Sequence, residues 1–287
     1  MGICDERWQA EREEIQLEEI ASNAGFKVKI EQPQGIYHTN PEEVVLKMSY
    51  AMLPSVDEDC YFWEDYEKLT TEQKQEFLKV LMILSRTNLY KAWIDAQFPA
   101  EMDFPVDKLS MDKKISGKET KDALSAQQET QGIIICKNEK VMYLPYFFLS
   151  TGETRSGKKC NSDKINKKYV TLLKLEKQSF QEKLRTDFEI TDMAIDFKRD
   201  NAMYVEKVSF QEKEIAAEQF QKSFHLVSPG FFLELQKENV LLTTKGIGHG
   251  YGMSVSYALT LAGQGKKHDE ILKYFFDDIE LERKYGV

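Results

Sequence analysis

The segment Phe77–Leu84 reads FLKVLMIL, and only Lys79 in it is not apolar. A helix that is apolar nearly all round has no face to give to water and must be buried. This stretch therefore predicts a central helix around which the rest of the chain packs. Its start is marked by Thr70 and Gln73, which have the spacing of a capping box. The helix is expected from Thr71 to about Phe98, with its first turns in the polar run TTEQKQE.

The remaining pattern supplies partners of both kinds. Residues 6 to 22 read as a charged helix with apolar points at Trp8, Ile15, Leu17 and Ile20, set apart from a domain over residues 23–287. FKVKIEQ alternates and reads as a strand. Asn40, Pro41, Glu42 and Glu43 open a helix that runs to about Leu53 and stops at Pro54, since Pro and Glu both suit a first turn. Residues 55–68 read as a loop or irregular helix, 99–121 as a polar loop, and Lys121–Thr130 as a short helix. GIIICKNEKVMYLPYFF reads as two strands joined near Asn138. Residues 160–190 read as irregular and charged. Further strands follow near Met203–Phe210 and Phe231–Thr244, then a glycine-rich segment and helices. Strands and helices alternate without β-α regularity, so the expected class is α+β, with mixed helices and antiparallel strands.

Charge excludes some functions. The 287 residues carry a net charge of −9, which opposes a general nucleic-acid binder, because phosphate contacts need a surplus of Lys and Arg. The densest basic run, Gly157–Lys168, reads as a solvated loop. No apolar run approaches the roughly 20 residues of a membrane helix. The first residues contain no apolar core of an export signal. Neither a membrane segment nor an export route is therefore expected from this sequence. Cys4, Cys60, Cys136 and Cys160 show no C-x-x-C spacing, hence no metal signature and no clear disulfide framework.

The glycine segment is GIGHGYGMS, Gly246–Ser254. It fails the dinucleotide fingerprint, which needs G-x-G-x-x-G. A second stretch, Gly152–Lys158, resembles a P-loop but continues with Lys159, so the magnesium-binding hydroxyl is missing. What remains is local. Alternating glycines allow positive φ and close backbone approach, and the following residues are helical in pattern, giving a strand, a glycine turn and a helix. His249 reads equally as a histidine bonded to backbone and as a ligand contact.

Taken in order, these residues resemble the stage II sporulation protein D family, which includes the amidase-enhancer wall proteins. The strongest match is Gly246–Ser254 against G-x-G-H-G-x-G-M-S, followed by Gly265–Phe276, GKKHDEILKYFF, against the family's G-K stretch and its E-E-I-L-K-Y-Y. Glu42 and Glu43 leading to Pro54 match its opening helix. Glu76-Phe-Leu-Lys79 and Arg86-Thr87 match its central E-A-L-K and R-T. Ser150–Thr154 is similar to its S-G-G-x-T turn. The resemblance covers about residues 24–282. It departs at Met52, Leu81, Leu84, Ser85 and Val255, and in extra residues between Pro54 and Glu76. No His/Cys cluster lies between Trp93 and Ala123, where some members hold zinc, so no metal or other cofactor is expected.

The resemblance implies two lobes around a groove, with Glu76 on the buried central helix. It implies a lytic transglycosylase acting on peptidoglycan glycan strands outside the cytoplasmic membrane, often beside a cell-wall amidase. Glu76 is implied as the catalytic acid. Arg86, Thr87, Ser150, Thr154, His249 and Ser254 are implied as parts of the glycan groove, although Arg86 also reads as a core-bridging ion pair and Ser150 and Thr154 as plain turn residues. One carboxyl suffices for this chemistry. It protonates the leaving oxygen and then accepts the proton of the sugar's own C6 hydroxyl, giving a 1,6-anhydro end. A hydrolysing glycosidase instead uses two carboxylates.

Val80, Ile83 and Thr87 share the Glu76 face and would desolvate it, raising its pKa. The start of its own helix would favour the charged form. Sequence leaves that contest open. Two other readings stand beside this one: a non-catalytic glycan-binding scaffold that activates a partner amidase, and an unrelated hydrolase pairing His249 with Cys160 or Ser254. No G-x-S-x-G elbow surrounds any serine.

Overall fold

A computed structural model describes residues 26–32, 35–54, 60–105, 117–191, 193–211 and 213–283. The charged helix expected at 6–22 lies outside the described residues. The chain begins with β1 (Lys27–Gln32), β2 (Gly35–Thr39), α1 (Pro41–Ala51), α2 (Cys60–Glu67), α3 (Thr71–Asp95) and β3 (Glu101–Asp103). It continues with α4 (Gly117–Glu129), β4 (Ile133–Lys137), β5 (Lys140–Val141), β6 (Tyr146–Phe147), β7 (Val170–Glu176) and α5 (Lys177–Phe188). Then come β8 (Asp196–Arg199), β9 (Val205–Ser209), β10 (Glu214–Ala216), α6 (Ala217–Ser223), β11 (Phe231–Leu235) and β12 (Asn239–Lys245). The chain closes with β13 (Met253–Ser254), α7 (Val255–Gly263), α8 (His268–Phe275) and β14 (Glu280–Arg283). Helices and small, mainly antiparallel sheets are interleaved, and the class is α+β.

The chain forms two compact units. Among the described residues, one takes in those up to Cys60, those within Glu64–Leu144 and those from Leu261 onward; the other takes in those within Tyr61–Trp63 and Pro145–Thr260. The first is built on α3. Phe77, Val80, Leu81, Met82, Ile83 and Leu84 are all fully buried, as the apolar run requires. Thr70 and Gln73 close the capping box at its start. The far end stops at Asp95, earlier than the expected Phe98, because Gln97 and Phe98 turn left-handed (φ 64° and 57°) ahead of Pro99. A residue before proline is pushed away from the helical region. The turn closes on Trp93, whose indole stacks on Phe26 at 4.6 Å and donates Nε1–H to the Pro99 carbonyl.

Around α3 lie α1, α4 and α8 and two three-stranded sheets, β2-β1-β3 and β14-β4-β5. Asn40 caps α1 by accepting the Glu43 N–H. β4 and β5 form a hairpin across Asn138 and Glu139. Both of those residues take positive φ, the geometry a two-residue hairpin turn demands.

The second unit holds β11-β12-β7, β10-β9-β8 and the parallel pair β6-β13. Its core is phenylalanine-rich: the Phe220 ring stacks on Phe231 and packs on Phe224 and Phe188. Here residues 160–190 depart from the irregular expectation. They contain β7 and α5, and α5 buries Phe180, Leu184 and Phe188 at a spacing of four. Its heavy charge is one solvated face of an amphipathic helix.

Candidate active site

Glu76 sits in the second turn of α3 with its side chain 10% exposed. Three donors converge on it. Oε1 accepts from Lys79 Nζ at 3.1 Å. Oε2 accepts the His268 backbone N–H at 2.8 Å and lies 2.7 Å from His268 Nδ1. His268 is the first residue of α8, so the carboxylate closes the N-terminus of that helix, where free N–H groups and the helix dipole favour an anion. Lys79 also bridges to Glu129 of α4 at 2.6 Å.

Two influences on the Glu76 carboxyl therefore compete. Burial alone would push it up, but the backbone and ring of His268 and the Lys79 ammonium outweigh burial and hold it down at about 2. The donors come mainly from a helix far along the chain rather than from the start of α3 itself. At neutral pH the group is an ionised carboxylate with three donors.

Arg86 and Thr87, about three turns further along α3, are fully buried. Arg86 forms a fork with Glu42 of α1: Nε to Oε1 and Nη2 to Oε2, each 2.7 Å. Its Nη1 donates to the Thr130 carbonyl. The guanidinium thus ties α1 and the end of α4 to the central helix, as a core-bridging ion pair. Thr87 donates to the Ile83 carbonyl and accepts the Ile135 N–H, fastening β4 to α3.

The other four candidates lie in the second unit. Gly246, Gly248, Gly250 and Gly252 all take positive φ. The requirement is sharpest at Gly252, where φ is 75° and a Cβ would stand 1.9 Å from the Pro145 carbonyl oxygen. At Gly250 a Cβ would meet the Tyr204 ring at 2.5 Å. The segment runs against β6, and Leu149 and Ile247 exchange backbone hydrogen bonds. His249 is exposed; its Nδ1 accepts the Tyr251 N–H, and its ring leans on Phe147. Loss of solvent and the nearby Arg155 charge push its pKa down.

Ser150 and Ser254 are brought together by a residue the sequence did not single out. Asp163 Oδ2 accepts from the Ser150 N–H at 2.9 Å and from the Ser254 hydroxyl at 2.7 Å. Ser254 Oγ in turn accepts the Tyr257 N–H and caps α7, while Ser150 Oγ accepts the Gly152 N–H. Thr154 is buried and closes its own turn through Ser156 and the Lys158 N–H. Ser254 is thus committed to Asp163, and burial pushes the Cys160 thiol far up. Neither is arranged as a nucleophile activated by His249.

No family model matches the chain. Two known proteins do. Stage II sporulation protein D of Bacillus amyloliquefaciens is 25% identical over 175 residues, and that of Bacillus subtilis (strain 168) is 24% identical over 175 residues. Each alignment covers 56% of this chain and 51% of the relative. These matches support a divergent member of the stage II sporulation protein D family. It spans about half the length of the relatives it matches.

Two of the segments that carry the likeness meet at Glu76. The central-helix motif and the terminal GKKHDEILKYFF stretch are 192 residues apart at this contact, yet they meet through Glu76 and His268. His268 and Lys79 both lie within quoted family segments but had no role assigned from sequence. A histidine heading a helix with acidic residues in its first turn was the available signal. Asp163 gave none, since it sits in a run that reads as a charged loop.

Proposed function

We propose that the protein acts on the bacterial cell wall in sporulation. It cleaves peptidoglycan glycan strands, denuded of stem peptides, as a lytic transglycosylase whose reaction depends on Glu76. The relatives' printed names support the sporulation setting. The observation that carries the chemistry is the convergence of two family segments on one nearly buried carboxylate. A carboxylate deprived of solvent but supplied with three donors is an organised charged group beside which a glycosidic oxygen can be protonated. This reading places the protein outside the cytoplasmic membrane, with a wall amidase as the partner that strips stem peptides and exposes its substrate.

The test is digestion of purified, peptide-free glycan strands, with products identified by mass spectrometry. Release of 1,6-anhydro-muramyl ends is expected, and its loss in Glu76→Gln. An active parent whose Glu76→Gln variant keeps full activity refutes the assignment.

One observation favours the scaffold reading. With its pKa held at about 2, the Glu76 carboxyl is ionised at neutral pH. A glycan-binding protein that activates an amidase needs no protonated acid. It would pellet with sacculi, release no anhydro ends, and raise the amidase's rate equally in parent and Glu76→Gln.

A further inference from the structure

β7 is the end strand of its sheet. It pairs with β12 along its whole length without a bulge, and no strand among the described residues lies on its other side. At the two ends of that pairing, the Gly246 N–H donates to the Tyr169 carbonyl and the Lys177 N–H to the Glu238 carbonyl. Both positions on the β7 side are odd-numbered, and the backbone groups of a strand point alternately to its two sides. The N–H and C=O groups of Val170, Leu172, Lys174 and Glu176 therefore face the open edge. Their side chains share the outer face of the sheet, while Leu173 and Leu175 pack towards the core. Val170 and Leu172 are 52% and 60% exposed.

The opposite edge of the same sheet is guarded. At β11, Arg199 donates to the Phe231 carbonyl, and its guanidinium lies over the Phe232 ring at 4.2 Å. β7 has no such plug, no proline and no bulge, the usual means of closing an edge. Its sequence, VTLLKLE, carries one cation and one anion. Tyr169 still bonds Gly246, so Lys168 stands at the head of the strand. Lys168, Lys174 and Glu176 form no ion pair among the described residues.

We propose that β7 is the surface through which two copies of this chain pair, antiparallel, about a two-fold axis that passes Leu172. Even-numbered residues alone have edge groups to exchange, so even must face even. Centring the pair on Leu172 sets Leu172 against the Leu172 of the second copy, Val170 against Lys174, and Lys168 against Glu176. The two leucines bury each other, the Lys174 stem covers Val170, and each end closes on a pair of opposite charges. Centring it on Leu173 instead would set Lys174 against Leu172 and Glu176 against Val170, leaving both charges unmatched. Charge complementarity thus selects the partner and the register together. The pairing is closed: it uses both β7 edges and ends at the two guarded β11 strands.

Sedimentation velocity of the full chain over a concentration series tests this. The parent should pass from monomer to dimer as concentration rises. Leu172→Pro removes one edge-facing N–H and breaks no bond to β12, so an edge strand accepts it. It should move the midpoint to concentrations higher by about tenfold or more. Lys168→Glu and Glu176→Lys each set like charges opposite each other and should weaken the pairing, most strongly at low salt. Combined in one chain, they should return the midpoint to within about threefold of the parent's.

A parent that stays monomeric overturns the proposal, as does a dimer that Leu172→Pro leaves unchanged. Charge changes that weaken the pairing singly but do not rescue each other overturn the register and the copy-to-copy assignment with it. If the near-ultraviolet circular dichroism of Leu172→Pro shows an unfolded chain, the charge exchange decides alone: rescue supports the pairing and its absence overturns it. All of these outcomes are independent of Glu76 and of glycan cleavage.

Discussion

Replacing Glu76 by Gln tests the electrostatics of the site apart from any activity. Its carboxyl is held at about 2 in the folded chain, against 4.5 for the ordinary group. Because the folded value is the lower one, the unfolded chain takes up the proton first as pH falls. The contribution to stability is complete well above pH 4.5 and is lost on the way down to 2. The full difference is worth about 3 kcal/mol, and about 2 kcal/mol of it is gone by pH 3.

The assay is urea unfolding read from Trp93, buried on the same helix, in a background where Trp8 and Trp63 are phenylalanine. Between pH 6 and pH 3 the parent should lose about 2 kcal/mol more than Glu76→Gln, since only the parent has this proton to take up. Parallel losses in the two proteins would refute the claim that His268 and Lys79 outweigh burial at Glu76. A steeper loss in the variant would reverse its sign.

Three further outcomes are expected. Gly252→Ala should cost about 3 kcal/mol or more, from the positive φ and the Pro145 oxygen 1.9 Å from its Cβ; urea unfolding read at Trp63, in the unit that holds Gly252, checks it. Arg86→Met should cost about 3–5 kcal/mol by stranding the partly buried Glu42, and the double variant Arg86→Met/Glu42→Gln should recover part of that loss, in a double-mutant cycle on thermal unfolding. Asp163→Asn should be near neutral, because the amide oxygen can still accept from Ser150 and Ser254; a loss above about 2 kcal/mol would contradict this.

The central helix was legible because burial on every side leaves a simple trace, an apolar run with one exception at Lys79. The caps at Thr70 and Asn40 were legible because a cap is a local contract between residues three apart. α5 was missed because charge dominates its composition, while its three buried positions are spaced by four and separated by polar residues. The end of α3 was placed too late because the left-handed turn at Gln97 and Phe98 involves no glycine to announce it. Glu76 was singled out by resemblance, but its ionisation was not legible, because two of its three donors come from residue 268, and contacts at that separation leave no periodicity to read. The same holds for Asp163, whose partners lie on either side of it at 150 and 254.

Glu76 and Asp163 are both carboxylates removed from solvent, and their surroundings drive them in opposite directions. Asp163 is met by the Ser150 N–H and by serine side chains, and burial pushes its pKa up. Such a group serves by accepting hydrogen bonds, joining the Ser150 turn to the start of α7, which is why an amide should replace it. Glu76 is met by an ammonium, an imidazole and the head of a helix, and is driven down. An amide there keeps the shape and loses what the donors were assembled to meet. The distinction turns on the partners rather than on burial, and it identifies Glu76 as the carboxylate whose charge the fold maintains. The glycine segment around His249 shows a different constraint: its backbone lies against β6 and the Tyr204 ring so closely that space itself requires glycine there.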